Sequence, residues 1–169
     1  VFIKWFFIGR IKEADYPLYS LNYFKWWLLH RMVINPLFLP GHSLAVLSSR
    51  LLGSKIGENV YLACTPFFET DLVEIGNNVT LQPDAVIQTW VVENHILKLR
   101  KIKIGNNVYV GERSTIALGS IVGDDTIVHP LTITAKFSNE KNTEIQGAPG
   151  KMIKNNSSTT SPLKRQLMN

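Results

Sequence analysis

The chain has 169 residues, 45% of them hydrophobic and 18% charged, with a formal net charge of +5 and one cysteine. That size fits one domain with a real core. The lone Cys64 excludes an internal disulfide and a multi-cysteine metal site, and no apolar run reaches the ~20 residues that cross a bilayer.

The chain opens mid-pattern on Val1-Phe-Ile-Lys-Trp-Phe-Phe-Ile8 without an initiator Met. A secretory signal is not expected there, because its charges and cleavage site are misplaced. A fragment of a longer protein is expected. Next, Leu18, Leu21, Phe24, Leu28 and Met32 recur at helical spacing, which predicts a helix over Leu18–Ile34. Tyr23, Trp26 and Trp27 widen its apolar face, and Lys25, His30 and Arg31 supply a basic side. Pro36 and Pro40-Gly41 end it, and a second helix is predicted over Ser43–Leu52 with Gly53 as its stop. Residues 1–54 thus form a helical region with two compatible uses. It covers the raw end of a stacked core, or it lies at a membrane surface with its aromatic residues at headgroup level. His30 and His42 read as polar surface.

From Ile56 onward a six-residue beat takes over. Ile75, Leu81 and Ile87 are six apart, and so are Ile104, Val110, Ile116, Val122, Val128 and Thr134. A second set of small or branched residues keeps time with them: Val79, Ala85, Val91, Val108, Ser114, Ser120, Thr126 and Thr132. Between them lie Gly76-Asn77-Asn78, Gly105-Asn106-Asn107 and Gly123-Asp124-Asp125, whose residue types tolerate the positive φ of tight corners. Each unit is a short strand and a turn that cannot bury its aliphatic residue alone, so units stack into a coil. A β-sandwich shares the Gly-Asn turns, but its turn spacing is irregular. The beat therefore predicts an all-β solenoid, a parallel β-helix over residues 55–154, with Ile75, Ile104, Val110, Ile116 and Val122 inside. Cys64 falls where a small buried side chain is wanted.

The beat breaks between Ile87 and Ile104. Glu93–Lys103 is out of phase and is predicted to leave the coil as loop 93–103. Lys98, Arg100, Lys101 and Lys103 cluster in it, and Lys151 and Lys154 lie further on. Without aromatics interleaved among these cations, nucleic acid is not an expected partner. His129 points outward from a late coil. No metal-ligand spacing or nucleotide-binding glycine motif is present. Residues 155–169 (Asn-Asn-Ser-Ser-Thr-Thr-Ser-Pro and beyond) read as a disordered tail.

The stretches Ile75–Val79, Leu81–Ala85 and Ile104–Thr132 resemble the hexapeptide repeat of left-handed β-helix acyltransferases. Ile104-Gly-Asn-Asn-Val-Tyr-Val-Gly111 and Gly147-Ala-Pro-Gly-Lys151 are similar to the last coils and closing turn of galactoside- and maltose-type acetyltransferases. Lys4-Trp5, Gly9-Arg10, Tyr16-Pro17-Leu18, Trp26-Trp27, Arg50–Gly57 and Asp71–Gly76 resemble the C-terminal β-helical module of membrane-bound poly-ε-lysine synthetase-type nonribosomal peptide synthetases. The resemblance implies left-handed crossovers and a helical cap. It also implies an acyl or aminoacyl group moved from a coenzyme A or phosphopantetheine-carrier thioester to an amine or hydroxyl. Implied partners are adenylation and carrier domains upstream in the same polypeptide, a membrane surface on the cytoplasmic face, and two further copies in a trimer. A soluble cytoplasmic location is the alternative.

In these families a His commonly follows the Thr of this segment and serves as general base. Here Trp90 follows Gln88-Thr89, and Trp cannot take a proton. The nearest imidazole is His95, with Glu93 as a second base or as its orienting partner. Lys98, Arg100 and Lys151 are the candidates to meet donor phosphate, and backbone N–H groups near Gly111 to steady an oxyanion. No metal is expected. The loss of His at position 90 leaves a noncatalytic scaffold, or a module that binds a carrier or lipid, as the alternative function.

Overall fold

The computed structural model describes residues 9–32, 39–67, 69–134 and 141–154. The expected contributions of Lys4-Trp5, the end of the first helix at Ile34, Pro36, Ala135 and the tail 155–169 lie outside the described residues.

Short strands feed three parallel ladders in turn. The first joins β2 (Lys55–Ile56), β4 (Val73–Ile75), β9 (Ile102–Ile104) and β12 (Ile121–Val122). The second joins β3 (Tyr61–Leu62), β5 (Thr80–Leu81), β10 (Tyr109–Val110), β13 (Ile127–Val128) and β15 (Thr143–Gln146), closed by antiparallel β16 (Lys151–Lys154). The third joins β6 (Val86–Ile87), β11 (Thr115–Ile116) and β14 (Ile133–Thr134). Register puts the beat residues into columns: Ile56, Ile75, Ile104 and Val122; Leu62, Leu81, Val110, Val128 and Ile145; Ile87, Ile116 and Thr134. The five residues predicted inside are buried, none more than 4% exposed. Each fully buried aliphatic side chain contributes roughly 1.5–3 kcal/mol against chain entropy. Val79, Ala85, Val108, Ser114, Ser120, Thr126 and Thr132 are buried with them. Val91 is the exception, half-buried in a hairpin outside the ladders.

The corners divide their labour differently from the sequence expectation. Positive φ falls on Asn59, Asn78, Asn107 and Asp125, not on Gly76 or Gly105. Those glycines make room: a Cβ on Gly76 would lie 2.6 Å from Gly105 O, and one on Gly105 would lie 2.5 Å from Asp124 Oδ1. Amide ladders stitch successive corners. Asn77 N donates to Asn106 Oδ1 (2.9 Å) and Asn106 N to Asp124 Oδ1 (2.8 Å), while Asn78 Nδ2 donates to Asn107 Oδ1 (3.1 Å).

The first helix, α1, runs Leu21–Met32, beginning later than predicted. Leu18 N donates instead to His95 O (3.0 Å), and the Ser20 hydroxyl accepts from Tyr23 N (3.1 Å), so the helix starts behind Ser20. Its buried face is also not the predicted one. Leu21, Phe24 and Leu28 are 79%, 54% and 38% exposed, whereas Trp26 is buried and Tyr23 and His30 are half-buried. The second helix, α2 (Ser43–Leu51), matches expectation and stops at Gly53 with φ +109°. Exposed His42 accepts from Leu44 N (3.1 Å) at its start, and Ala45 is fully buried in the main core.

Candidate functional site

The segment predicted as loop 93–103 stays out of the ladders only as far as Lys101 and forms a β-hairpin there rather than a loop; Ile102 and Lys103 already pair with Val73 and Glu74 in the first ladder. Strands β7 (Trp90–Glu93) and β8 (Ile96–Leu99) pair antiparallel, and β1 (Ala14–Pro17) pairs with the other edge of β8. Asn94 and His95 form the turn with φ of +51° and +60°. This is the backbone that two-residue hairpin loops require. Leu97 and Leu99 alternate inward onto Trp26 and Leu72, making a second, smaller core with Trp90, Tyr16, Tyr23 and Ile11 at its edge.

The hairpin separates most of the predicted site residues. His95 stands exposed on the turn. Glu93 does not orient it; Lys98 Nζ lies 2.7 Å from Glu93 Oε2 across the two strands. Arg100 pairs with Asp15 at 2.7 Å and donates to Leu99 O. The Arg100 hydrogen bond holds the Asp15 carboxyl below its ordinary value. Lys101 and Lys103 face Glu74 at 2.6 and 3.8 Å. The basic cluster is thus matched by carboxylates, so an incoming phosphate must compete with them. Gly111 N already donates to Val128 O (2.8 Å), which removes it as an oxyanion donor. A Cβ at Gly111 would lie 2.5 Å from Pro130 N, so this glycine serves close packing. Exposed Lys151 lies on β16, in a different sheet from the hairpin. His129 does not stand free on the outside: it is half-buried, with Nε2 2.9 Å from Glu144 Oε2. Cys64 is buried, and burial pushes its thiol up to about 12, which suits packing and not attack.

A cluster absent from the sequence reading lies where α1 meets the hairpin. Glu69 is 2% exposed, the one charged side chain buried among the described residues. Trp26 Nε1 donates to its Oε1 (2.8 Å) and Thr89 Oγ1 to its Oε2 (2.8 Å). His30 Nδ1 lies 3.5 Å from Oε1, with 27% of the His30 side chain reaching solvent. Burial pushes Glu69 up, but the nearby His30 imidazole and hydrogen bonds from Thr89 and Trp26 outweigh it and hold the carboxyl below its ordinary value. The Trp90 ring stands edge-on to Trp26 (5.3 Å between centroids) and to His30 (5.8 Å). His30 is therefore not a solvated surface residue, as the sequence implies. Tyr23, Trp26 and His30 share one helix face at spacings of three and four, a signal overshadowed by the larger Leu/Phe stripe.

No family model matches the chain. Among curated proteins it is 30% identical over 145 residues to Delta-poly-L-ornithine synthetase of Acinetobacter baumannii, covering 81% of the chain and 11% of that protein. It is 34% identical over 89 residues to the bifunctional protein GlmU of Lactobacillus johnsonii, covering 51% of the chain and 18% of that protein. The chain thus spans under a fifth of either relative. Among solved structures it superposes on a maltose O-acetyltransferase from Clostridium difficile 630 with a TM-score of 0.57 at 22% identity, over 84% of this chain and 92% of that one. A galactoside acetyltransferase in complex with coenzyme A gives 0.50 at 20% identity, over 67% and 72%.

Proposed function

We propose that the chain is an acyl-transfer module of the hexapeptide-repeat acyltransferase kind within a larger peptide-synthetase-like protein. It moves an acyl or aminoacyl group from a coenzyme A or carrier-bound thioester to an amine or hydroxyl. The observation that carries this reading is the ladder architecture matched over most of a maltose O-acetyltransferase. The similarity to an ornithine-polymer synthetase over 81% of the chain supports an amine acceptor. The coil is a left-handed solenoid with α1 and α2 as its helical cap, and the chain works with upstream adenylation and carrier domains. The acceptor attacks the thioester carbonyl as a base takes its proton. His95, raised on an exposed hairpin turn, is placed to serve a substrate held between copies in a trimer. Lys98 and Arg100, after exchanging their carboxylate partners, meet donor phosphate together with Lys151.

Among the described residues no helix is long and apolar enough to cross a membrane. Tyr19, Leu21, Phe24, Trp27 and Leu28 are nonetheless exposed at and along α1, which supports contact with a membrane surface. A second reading, a noncatalytic scaffold, is favoured by Trp90, which packs on Trp26 instead of presenting a base. Thiol release from acetyl-coenzyme A and from ornithyl-pantetheine, with free ornithine as acceptor, decides between them. Turnover by the chain or its full-length parent supports transfer. No turnover by the parent, with Trp90→His also silent, supports the scaffold.

A further inference from the structure

We propose that the first-ladder face of the coil is a docking groove for an acidic peptide segment, read by Lys55, Lys101 and Lys103. The groove is independent of the acyl-transfer reading and uses none of the residues assigned to that reaction.

The cations gather on one ladder of three. Register sets Lys55, Glu74, Lys103 and Ile121 side by side along the coil axis, and Lys101, just before β9, reaches the same carboxylate. The matching columns of the other ladders are Tyr61, Thr80, Tyr109, Ile127 and Glu144, and Val86, Thr115 and Ile133, without a cation. Lys101 Nζ and Lys55 Nζ lie 2.6 and 3.0 Å from Glu74 Oε1, and Lys103 Nζ stands 3.8 Å from Oε2. At the rim, Glu13 Oε1 accepts from Lys101 N (2.8 Å). Three ammoniums thus face two carboxylates, and Lys101 alone is enough to hold Glu74. Lys55 and Lys103 are 80% and 53% exposed. An exposed ion pair contributes little, so little is lost when these two turn to another carboxylate.

Shape and chemistry both fit a peptide. The face opens as a shallow cavity of about 630 Å³ that runs from Lys55 past Glu74 and Lys103 to Ile121. Its strands, at the usual spacing of ~4.8 Å, make it roughly 14 Å long, the span of about four residues of extended chain. Lys55 and Lys103 stand two strands apart, roughly 10 Å, which matches carboxylates about three residues apart on such a chain. Exposed Ile121 supplies an apolar end. The floor offers no phosphate cradle. The N–H groups of Gly57, Gly76 and Gly105 are engaged by the carbonyls of Ile75, Ile104 and Val122, and lysine lacks the planar fork with which arginine grips phosphate oxygens in pairs. A bilayer fits less well, because these lysines fold onto Glu74 within a concave face, whereas a bilayer presents a plane. The formal net charge of +5 draws an acidic partner toward the chain.

A fluorescein-labelled hexaglutamate peptide tests this on the full chain. Its anisotropy should report binding that weakens as salt rises. Lys55→Glu with Lys103→Glu should weaken binding roughly tenfold or more, since each exposed charge pair is worth up to several-fold and reversal adds repulsion. The milder Lys55→Gln with Lys103→Gln leaves Glu74 to Lys101, so it should keep the wild-type melting temperature and still weaken binding several-fold. Lys25→Glu with Arg113→Glu makes the same change in net charge on exposed residues outside the groove, and should stay within about twofold of wild type. Carbodiimide coupling of the bound peptide, read by mass spectrometry, should place the new amide on Lys55, Lys101 or Lys103. Absent binding, an equal loss in the Lys25 and Arg113 control, or coupling confined to other lysines would each overturn the proposal. Flotation with phosphatidylglycerol vesicles that Lys55 and Lys103 control, with the peptide unbound, would also overturn it and give the face to lipid.

Discussion

Replacing Gly76 with Ala probes what the coil's corner glycines are for. A Cβ at this position would lie 2.6 Å from Gly105 O and 2.7 Å from both Gly105 C and Asn106 Oδ1. Two of those atoms are backbone, so relief requires the next coil to move away. That movement stretches Gly76 N to Ile104 O (2.9 Å) and Asn77 N to Asn106 Oδ1 (2.9 Å). Overpacking of this kind costs about 1–3 kcal/mol, and weakening two hydrogen bonds adds about 1 kcal/mol. The smaller unfolded-state entropy of Ala returns about 0.4–1 kcal/mol. A net loss of about 2–3 kcal/mol is expected, or a fall in Tm of roughly 4–12 °C for a chain of this size. Gly119→Ala is the control: its φ is +72°, but its Cβ would meet nothing closer than Arg100 Cβ at 3.6 Å. It carries only the left-handed strain of about 1–2 kcal/mol. Thermal unfolding followed by circular dichroism compares the two. Gly76→Ala melting at or above Gly119→Ala would refute the claim that corner glycines provide room between coils.

The buried carboxylate predicts an acid transition. With its folded-state value depressed, Glu69 contributes stability above its unfolded-state titration, and that stability is lost as pH falls through the folded-state value. Glu69→Gln should therefore flatten the acid limb of stability against pH, measured by urea unfolding between pH 3 and pH 7 (roughly the range in which carboxylates titrate); an unchanged limb would contradict the linkage. Cys64, with its thiol pushed up to about 12, should resist a thiol reagent in native protein and react at once in denaturant, and fast native labelling would contradict its burial. For the membrane proposal, Phe24→Ser with Leu28→Ser should reduce flotation with anionic liposomes by several-fold, since both side chains are exposed on α1; equal flotation would remove that role.

The coil is legible in the sequence because its inward positions recur at fixed spacing and each is satisfied by hydrophobicity alone. Ile75, Ile104, Val110, Ile116 and Val122 follow from the period and are buried. The hairpin is half legible. Ile96-Leu-Lys-Leu99 alternates as a strand should, but Asn94-His95 lacks the glycine that usually marks such a turn. The helix face goes astray for a related reason. Periodicity ranks Leu21, Phe24 and Leu28 above Tyr23, Trp26 and His30, yet what α1 meets is a buried anion beside two aromatic rings, which rewards an indole N–H and an imidazole. Glu69 itself lies between coils and carries no local signal. Its role depends on Trp26 and Thr89, 43 and 20 residues away, a proximity that only the fold creates.

The mass of the acceptor tests the central claim most directly. Ornithine incubated with the full-length parent and acetyl-coenzyme A or ornithyl-pantetheine should gain one acyl or aminoacyl group, in step with the thiol released. Thiol release with unmodified ornithine would mean hydrolysis, and neither product would mean a scaffold; either result would contradict acyl transfer to an amine.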